Sequence, residues 1–228
     1  YQAGYTNSTG TANAFFGQGA GYYNSTGSYN TFVGAASGST NTASNNTAVG
    51  YNSLTSNSSG TDNVAIGTTA MGDNSTGSYN TAIGRQALKS NTTGTQNTAV
   101  GYQAGYTGTT ATDITAVGYL ALGNNTGNYN TGIGKQALYY NSTGERNTAV
   151  GRFTLGNNTT GNYNSAVGMG ALNQSSTSDY NVAFGYNAAY NSTSGPNTAI
   201  GSFALTTNTS GNNNTAVGYS ALQSSTTA

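Results

Sequence analysis

Five carboxylates are the acidic side chains this sequence offers for acid–base or metal chemistry: Asp62, Asp73, Asp113, Glu145 and Asp179. Histidine and cysteine are both absent. That removes Ser-His-Asp and Cys-His catalysis, histidine and thiolate metal sites, and any disulfide framework. Asp62 and Asp113 occupy the same place in a repeat but stand three repeats apart. At the usual ~4.8 Å spacing between strands that is about 14 Å, too far for a working carboxylate pair. Calcium-binding solenoids place an aspartate in every repeat, and this chain does not. The five acids therefore read as solvated turn residues. Gly132-Ile133-Gly134-Lys135 has the outline of a phosphate loop, but Gln136 stands where Ser or Thr is needed and no helical pattern follows. No catalytic residue, metal ligand or cofactor-binding residue is assigned, no cofactor is expected, and the chain reads as a non-enzyme.

Two other residue types recur in patterns that bear on recognition. Tyr51, Tyr102, Tyr119, Tyr186 and Tyr219 share one repeat position, which Arg85, Lys135 and Arg152 occupy in other copies. An exposed aromatic row of this kind can stack on sugars or simply cover the edge of a repeat, and these tyrosines are the weak candidates for ligand binding. Asn-x-Ser/Thr triplets also abound, including those at Asn24, Asn57, Asn91 and Asn141. They are glycosylation acceptors only where the source carries the machinery, and turn formation already accounts for them.

The elements that position all of these are set by a repeat. The phrase Asn97-Thr98-Ala99-Val100-Gly101 returns along the whole chain, its glycine falling at Gly17, Gly34, Gly50, Gly67, Gly84, Gly101, Gly118, Gly134, Gly151, Gly168, Gly185, Gly201 and Gly218. Successive glycines are 16 or 17 residues apart. A period this strict outranks other signals and predicts one repeat array over residues 1–228. Tyr1-Gln2-Ala3-Gly4-Tyr5-Thr6 matches Tyr102-Gln103-Ala104-Gly105-Tyr106-Thr107, so the chain opens in mid-repeat. It is expected to be a segment of a longer fibrous protein, with targeting and anchoring parts elsewhere.

Composition narrows the class. Of 228 residues only 4% are charged and 34% hydrophobic, with 34 glycines, 18 tyrosines, 6 phenylalanines and a net charge of zero. Disordered chains combine low hydrophobicity with high net charge and few aromatics, which this is not. A neutral chain lacks the electrostatic footprint for nucleic acid or an anionic membrane surface. No apolar run approaches the ~20 residues of a membrane span, so neither nucleic acid nor direct membrane contact is expected.

Counted from the Asn, position four is β-branched or aromatic in every copy, from Phe16 and Val33 to Ile200 and Val217. Such residues suit a pleated strand. Position three is mostly alanine, with Phe15, Phe32 and Gly132 as exceptions, and position five is the glycine. Period-two alternation puts positions two and four on one face and three and five on the other. The bulky face is expected to point inward. Leucine then recurs at position nine (Leu54, Leu88, Leu122, Leu138, Leu155, Leu172, Leu205, Leu222, with Met71 once), suggesting a second short strand before an Asn-Ser/Thr-Thr-Gly turn. Helical i, i+3, i+4, i+7 spacing is absent, and glycine at this density costs a helix ~1 kcal/mol each time. The fold class is therefore all-β: a parallel β-solenoid of about 13 coils, each of 16–17 residues with two short strands. At ~4.8 Å per coil it would form a rod of about 60 Å.

Asn63-Val64-Ala65-Ile66-Gly67 and Asn80-Thr81-Ala82-Ile83-Gly84 resemble the S-V-A-I-G repeat of trimeric autotransporter adhesin heads, the YadA-like family. The longer phrase N-T-A-V-G-Y-Q-A-L-x-x-N-T-T-G is similar to repeats in phage and bacterial surface fibres. The resemblance spans essentially the whole chain. It implies a left-handed parallel β-roll, three chains about a common axis, and a role in adhesion.

The expected function is a structural one: an extracellular fibre shaft or adhesin head on a cell surface or virion, self-associating as a homotrimer or filament. Its outside partner would be a surface glycan or host receptor. The trimer is expected to turn the small-residue strip Ala48/Gly50, Ala65/Gly67, Ala82/Gly84, Ala99/Gly101 toward its axis. The alternative is an ice-binding solenoid presenting Thr and Asn arrays. Thr47, Thr81, Thr98, Thr131, Thr148, Thr198 and Thr215 share position two, but on the face expected to be inward. That leaves turn threonines such as Thr76, Thr93 and Thr143 for the array.

Overall fold

The structure, a computed structural model, describes residues 2–227. Tyr1 and Ala228, which bound the repeat match and the array, lie outside them. It is an all-β parallel solenoid. Contacts divide it into two compact units of the same construction, one ending at Ile114 and the other beginning at Thr115. The first holds β1 (Ala14–Phe16), β2 (Thr31–Val33), β3 (Thr47–Val49), β4 (Val64–Ile66), β5 (Thr81–Ile83) and β6 (Thr98–Val100). The second holds β7 (Thr115–Val117), β8 (Thr131–Ile133), β9 (Thr148–Val150), β10 (Ser165–Val167), β11 (Val182–Phe184), β12 (Thr198–Ile200) and β13 (Thr215–Val217). Within each unit strands pair in chain order, like upon like: Thr81 with Thr98, Ala82 with Ala99, Ile83 with Val100.

Each coil has one strand, not two. The leucine segment is a chain of turns whose residues alternate in hand: at position nine Leu and Met all have φ between 47° and 53°. In the coil after β5, Ala87 N–H donates to the Gly84 carbonyl at 3.2 Å, Leu88 N–H to Ala104 of the next coil at 2.9 Å, and Asn91 N–H back to Leu88 at 3.1 Å. Stacking therefore satisfies this backbone without extending it. The left-handed region is a poor place for a β-branched residue. This explains why position nine holds Leu or Met while position four, in the strand, holds Val, Ile or Phe.

The second correction concerns the faces. Position three is inside the coil and positions two and four are outside. Ala48, Ala65, Ala82 and Ala99 have no exposed surface, and the Leu side chains of position nine, apart from Leu222 in the last coil, are buried with them. None of the position-two threonines and none of the position-four residues is buried. The interior is too narrow for a strand and a turn segment that both carry large side chains. Where position three is large, position nine is glycine: a Cβ at Gly21 would lie 2.8 Å from the Phe15 ring, and one at Gly38 2.6 Å from Phe32. Phe15 and Phe32 stack at 5.2 Å with planes 8° apart. At Ala99 and Gly105, where both are small, Leu88 of the preceding coil and Ile114, which stands at position one in place of Asn, occupy the space, Ile114 at 1% exposure.

Position five is glycine for a steric reason. All thirteen have φ between 124° and 135°. The coils also approach so closely there that a Cβ at Gly50 would lie 2.8 Å from the Gly67 carbonyl carbon.

Two outcomes follow from the narrow interior. Phe32→Ala should lower stability by about 3–5 kcal/mol, and adding Gly38→Leu should restore most of it, measured by chemical denaturation of both variants. Leu88→Ile, a swap that usually costs under about 1.5 kcal/mol in a core, should cost about 2 kcal/mol because the backbone there is left-handed. Ile83→Leu, on the outer face, should cost about 0.5 kcal/mol.

Candidate functional site

Within each unit the outer face of the strands is an extended, uniform surface. Each strand contributes a residue at position two, threonine in most coils, and a Val, Ile or Phe at position four. Ile66, Ile83 and Ile133 are each 38% exposed, a constancy that shows how alike the coils are. Neighbouring rows lie ~4.8 Å apart, and the two residues of one strand ~6.6 Å apart. The Val, Ile and Thr side chains have few rotamers, because branching at Cβ restricts χ1. No charged residue occurs between the position-one Asn and the position-five Gly in any coil.

Two buried rows of asparagine hold this face in register. In the first, each position-one Oδ1 accepts the backbone N–H of the next coil: Asn63 to Asn46 at 3.0 Å, Asn80 to Asn63 at 3.0 Å, Asn97 to Asn80 at 3.0 Å. Most Nδ2 groups reach a turn carbonyl one coil on, as Asn63 does to Gly77 at 2.8 Å. In the second row, at position twelve, Asn74 Nδ2 donates to Asn57 Oδ1 at 2.8 Å and to Gly77 O at 3.0 Å, and Asn91 repeats this onto Asn74. Buried amides are costly unless paired, and here nearly all are. Asn24, Asn57, Asn91 and Asn141 belong to this row with no exposed surface. A glycan cannot be attached to them in the folded state. The Oδ1 atoms of Asn91 and Asn158 lack partners. The next coils place Gly108 and Ser175 where another Asn would donate.

The candidate tyrosines are exposed but engaged. Arg85 lies 5.9 Å over the Tyr102 ring, Lys135 5.5 Å over Tyr119, and Tyr186 meets Phe203 edge-on at 5.1 Å. Phe203 is 6.1 Å from Tyr219, while Tyr51 is 57% exposed. They form an edge cover more than a common platform. A second aromatic column runs at the position before the position-one Asn. There Arg146 sits between Tyr129 (4.9 Å) and Tyr163 (5.5 Å), and Tyr163 stacks on Tyr180 at 4.9 Å with planes 4° apart. The recurring Tyr-Asn pair was its signal.

The acids do not come together. Asp73 pairs with Lys89 at 2.7 Å and Glu145 with Arg146 at 3.2 Å, both at the surface, where such pairs contribute ~0–1 kcal/mol. Asp62 and Asp113 are exposed residues with φ of 58° and 55°. Among the described residues no three carboxylates cluster.

No family model matches the chain, and no match is found among curated proteins or solved structures.

Removing one amide should show what the buried rows contribute. Asn74→Ala strips Asn57 Oδ1 of its donor, and an orphaned buried acceptor costs about 1–3 kcal/mol. Equilibrium unfolding should show that loss, whereas Thr76→Ala on the exposed turn should change stability by under about 0.5 kcal/mol.

Proposed function

We propose that this chain is a non-enzymatic structural segment of an extracellular fibre shaft or adhesin head, on a cell surface or virion, and that it associates with copies of itself through the outer strand face. The observation that carries this reading is the face itself: Val, Ile or Phe at position four of every coil, uncharged, in register and unburied within one chain. Exposed contiguous apolar surface of this extent marks an interaction site. Cyclic association hides the same strip on every chain at once, and the resemblance to YadA-like heads favours three chains. The alanine–glycine strip has no part in it, because those alanines are consumed in the coil interior. Threonine and the β-branched residues take its place toward the axis.

A second reading is favoured by one specific observation. The threonines of position two, Thr47, Thr81, Thr98, Thr131, Thr148, Thr198 and Thr215, lie on the outer face and not inward. A grid of hydroxyl and methyl groups on side chains with few rotamers is a surface on which water can order, as ice binding requires. The two readings compete for the same face.

Native mass spectrometry separates them. The unmodified 22.9 kDa chain should run at three times its own mass, and Ile66→Lys with Ile83→Lys should return it to a single chain with its circular dichroism unchanged. A single-chain mass for the unmodified protein sinks the self-association reading. Thermal hysteresis in that same sample would select the ice-binding one.

A further inference from the structure

At position ten, just before the Asn turn, most coils carry a side chain: Lys89, Tyr139 and Asn173 are examples. Three coils have glycine instead, at Gly72, Gly123 and Gly156. At Gly123 a neighbour takes the space, since a Cβ there would lie 2.7 Å from the Tyr139 ring. Over Gly156 there is an open cleft of about 260 Å³, lined by Gln136, Tyr139, Tyr140, Phe153, Asn157 and Asn173. All of it belongs to the second unit.

The lining combines two chemistries. Tyr139 and Phe153 are half-buried rings, and Tyr140 braces Tyr139 edge-on at 4.6 Å and 74°. Arg152 lies 4.6 Å over the Phe153 ring and holds it in turn. Facing them is a pre-arranged set of amides. Asn173 Nδ2 donates to the Phe153 carbonyl at 2.5 Å, and Asn173 Oδ1 accepts from Gln174 at 2.9 Å and from Asn157 at 3.4 Å. Asn157 Nδ2 also donates to Gln174 Oε1 at 3.1 Å. The Gln136 amide and the Asn157 Oδ1 are the groups left for a ligand. None of the lining residues is charged. Binding sites for small molecules pair apolar walls with a few placed polar groups, and aromatic rings accept a flat hydrocarbon face on their own. A neutral molecule with a flat C–H face and a rim of hydroxyls is a pyranose.

We propose that the cleft over Gly156 binds the pyranose ring of a neutral sugar, with Tyr139 and Phe153 against its C–H face and Gln136 and Asn157 on its hydroxyls. This deepens the adhesin reading and rests on it for its purpose. The position-six tyrosines are not part of the site.

Saturation-transfer NMR on the whole chain, with the methyl glycosides of glucose, galactose, mannose and N-acetylglucosamine at millimolar concentration, tests it. Saturation should reach the ring C–H protons of at least one of them. Gly156→Gln should abolish the signal: the glycine's φ is not left-handed, and a Cβ there would lie 2.8 Å from Asn173 Nδ2 and 3.2 Å from the Phe153 carbonyl, so the Asn173 amide must shift as the new side chain fills the cleft. Gln136→Ala, at a half-buried rim position, should weaken binding about fivefold by removing one hydrogen bond. Tyr51→Ala should leave it unchanged. Absence of transfer to all four glycosides overturns the proposal, and so does an equal signal in Gly156→Gln. Circular dichroism of each variant guards against misfolding, with Gln136→Ala as the mild variant. The native mass of the same sample reports on self-association separately, so either reading can fail without the other.

Discussion

Everything in this fold depends on translation: an atom in one coil finds its partner in the same atom's neighbourhood one coil away. The position-one Asn is the clearest instance. Its carbonyl oxygen takes the next backbone N–H and its amide takes the next turn carbonyl, so one side chain ties two segments of the neighbouring coil. Such a bond exists only if the coils superpose without drift. The glycine of position five is a consequence, because coils held this close leave no room for a Cβ between carbonyls. The narrow interior is another, since superposed short coils enclose little more than one small and one larger apolar side chain each.

That interior decides what the surface can be. With alanine and leucine filling it, the branched residues of the strand have nowhere to go but out. The uncharged outer grid is thus produced by packing inside the coil and by register between coils. Its regularity is then available to whatever meets it, whether another chain or ordered water. Departures from regularity are what single out one place from another: the glycine over which the cleft of the second unit opens is a local omission in a row that elsewhere mostly carries side chains.

Much of this was legible in the sequence. The glycine period gave the parallel solenoid, the coil length and the location of the turns, because each is fixed by backbone geometry that few residues tolerate. Which face is inward was not legible from alternation alone, since a period of two is the same seen from either side. Bulk is no guide to burial here, because Leu88 and its counterparts share the narrow interior with Ala82 and its counterparts. The pairing of Phe15 with Gly21 and of Phe32 with Gly38 carried the answer. A large residue would be matched by a missing one only if both lay in the same confined interior. The expected second strand fell for a related reason. Leu and Val are equally apolar, but β-branched residues stand in the strand and none at position nine, which separates extended from left-handed backbone. The cleft left a fainter trace, a glycine at Gly156 that only the neighbouring rings make meaningful.

The compensation between Phe32 and Gly38 is contained within a single coil, and that has a bearing on inheritance. A coil whose volumes balance internally can be duplicated or lost as a unit, and its neighbours will meet the same backbone and the same asparagines as before. The length of such an array is then free to drift by whole coils while its cross-section stays constant. Two places are counterexamples: Phe15 stacks on Phe32 across coils, and Ile114 lies beneath Gly105 from the following repeat, so each of those pairs of coils is bound to travel together.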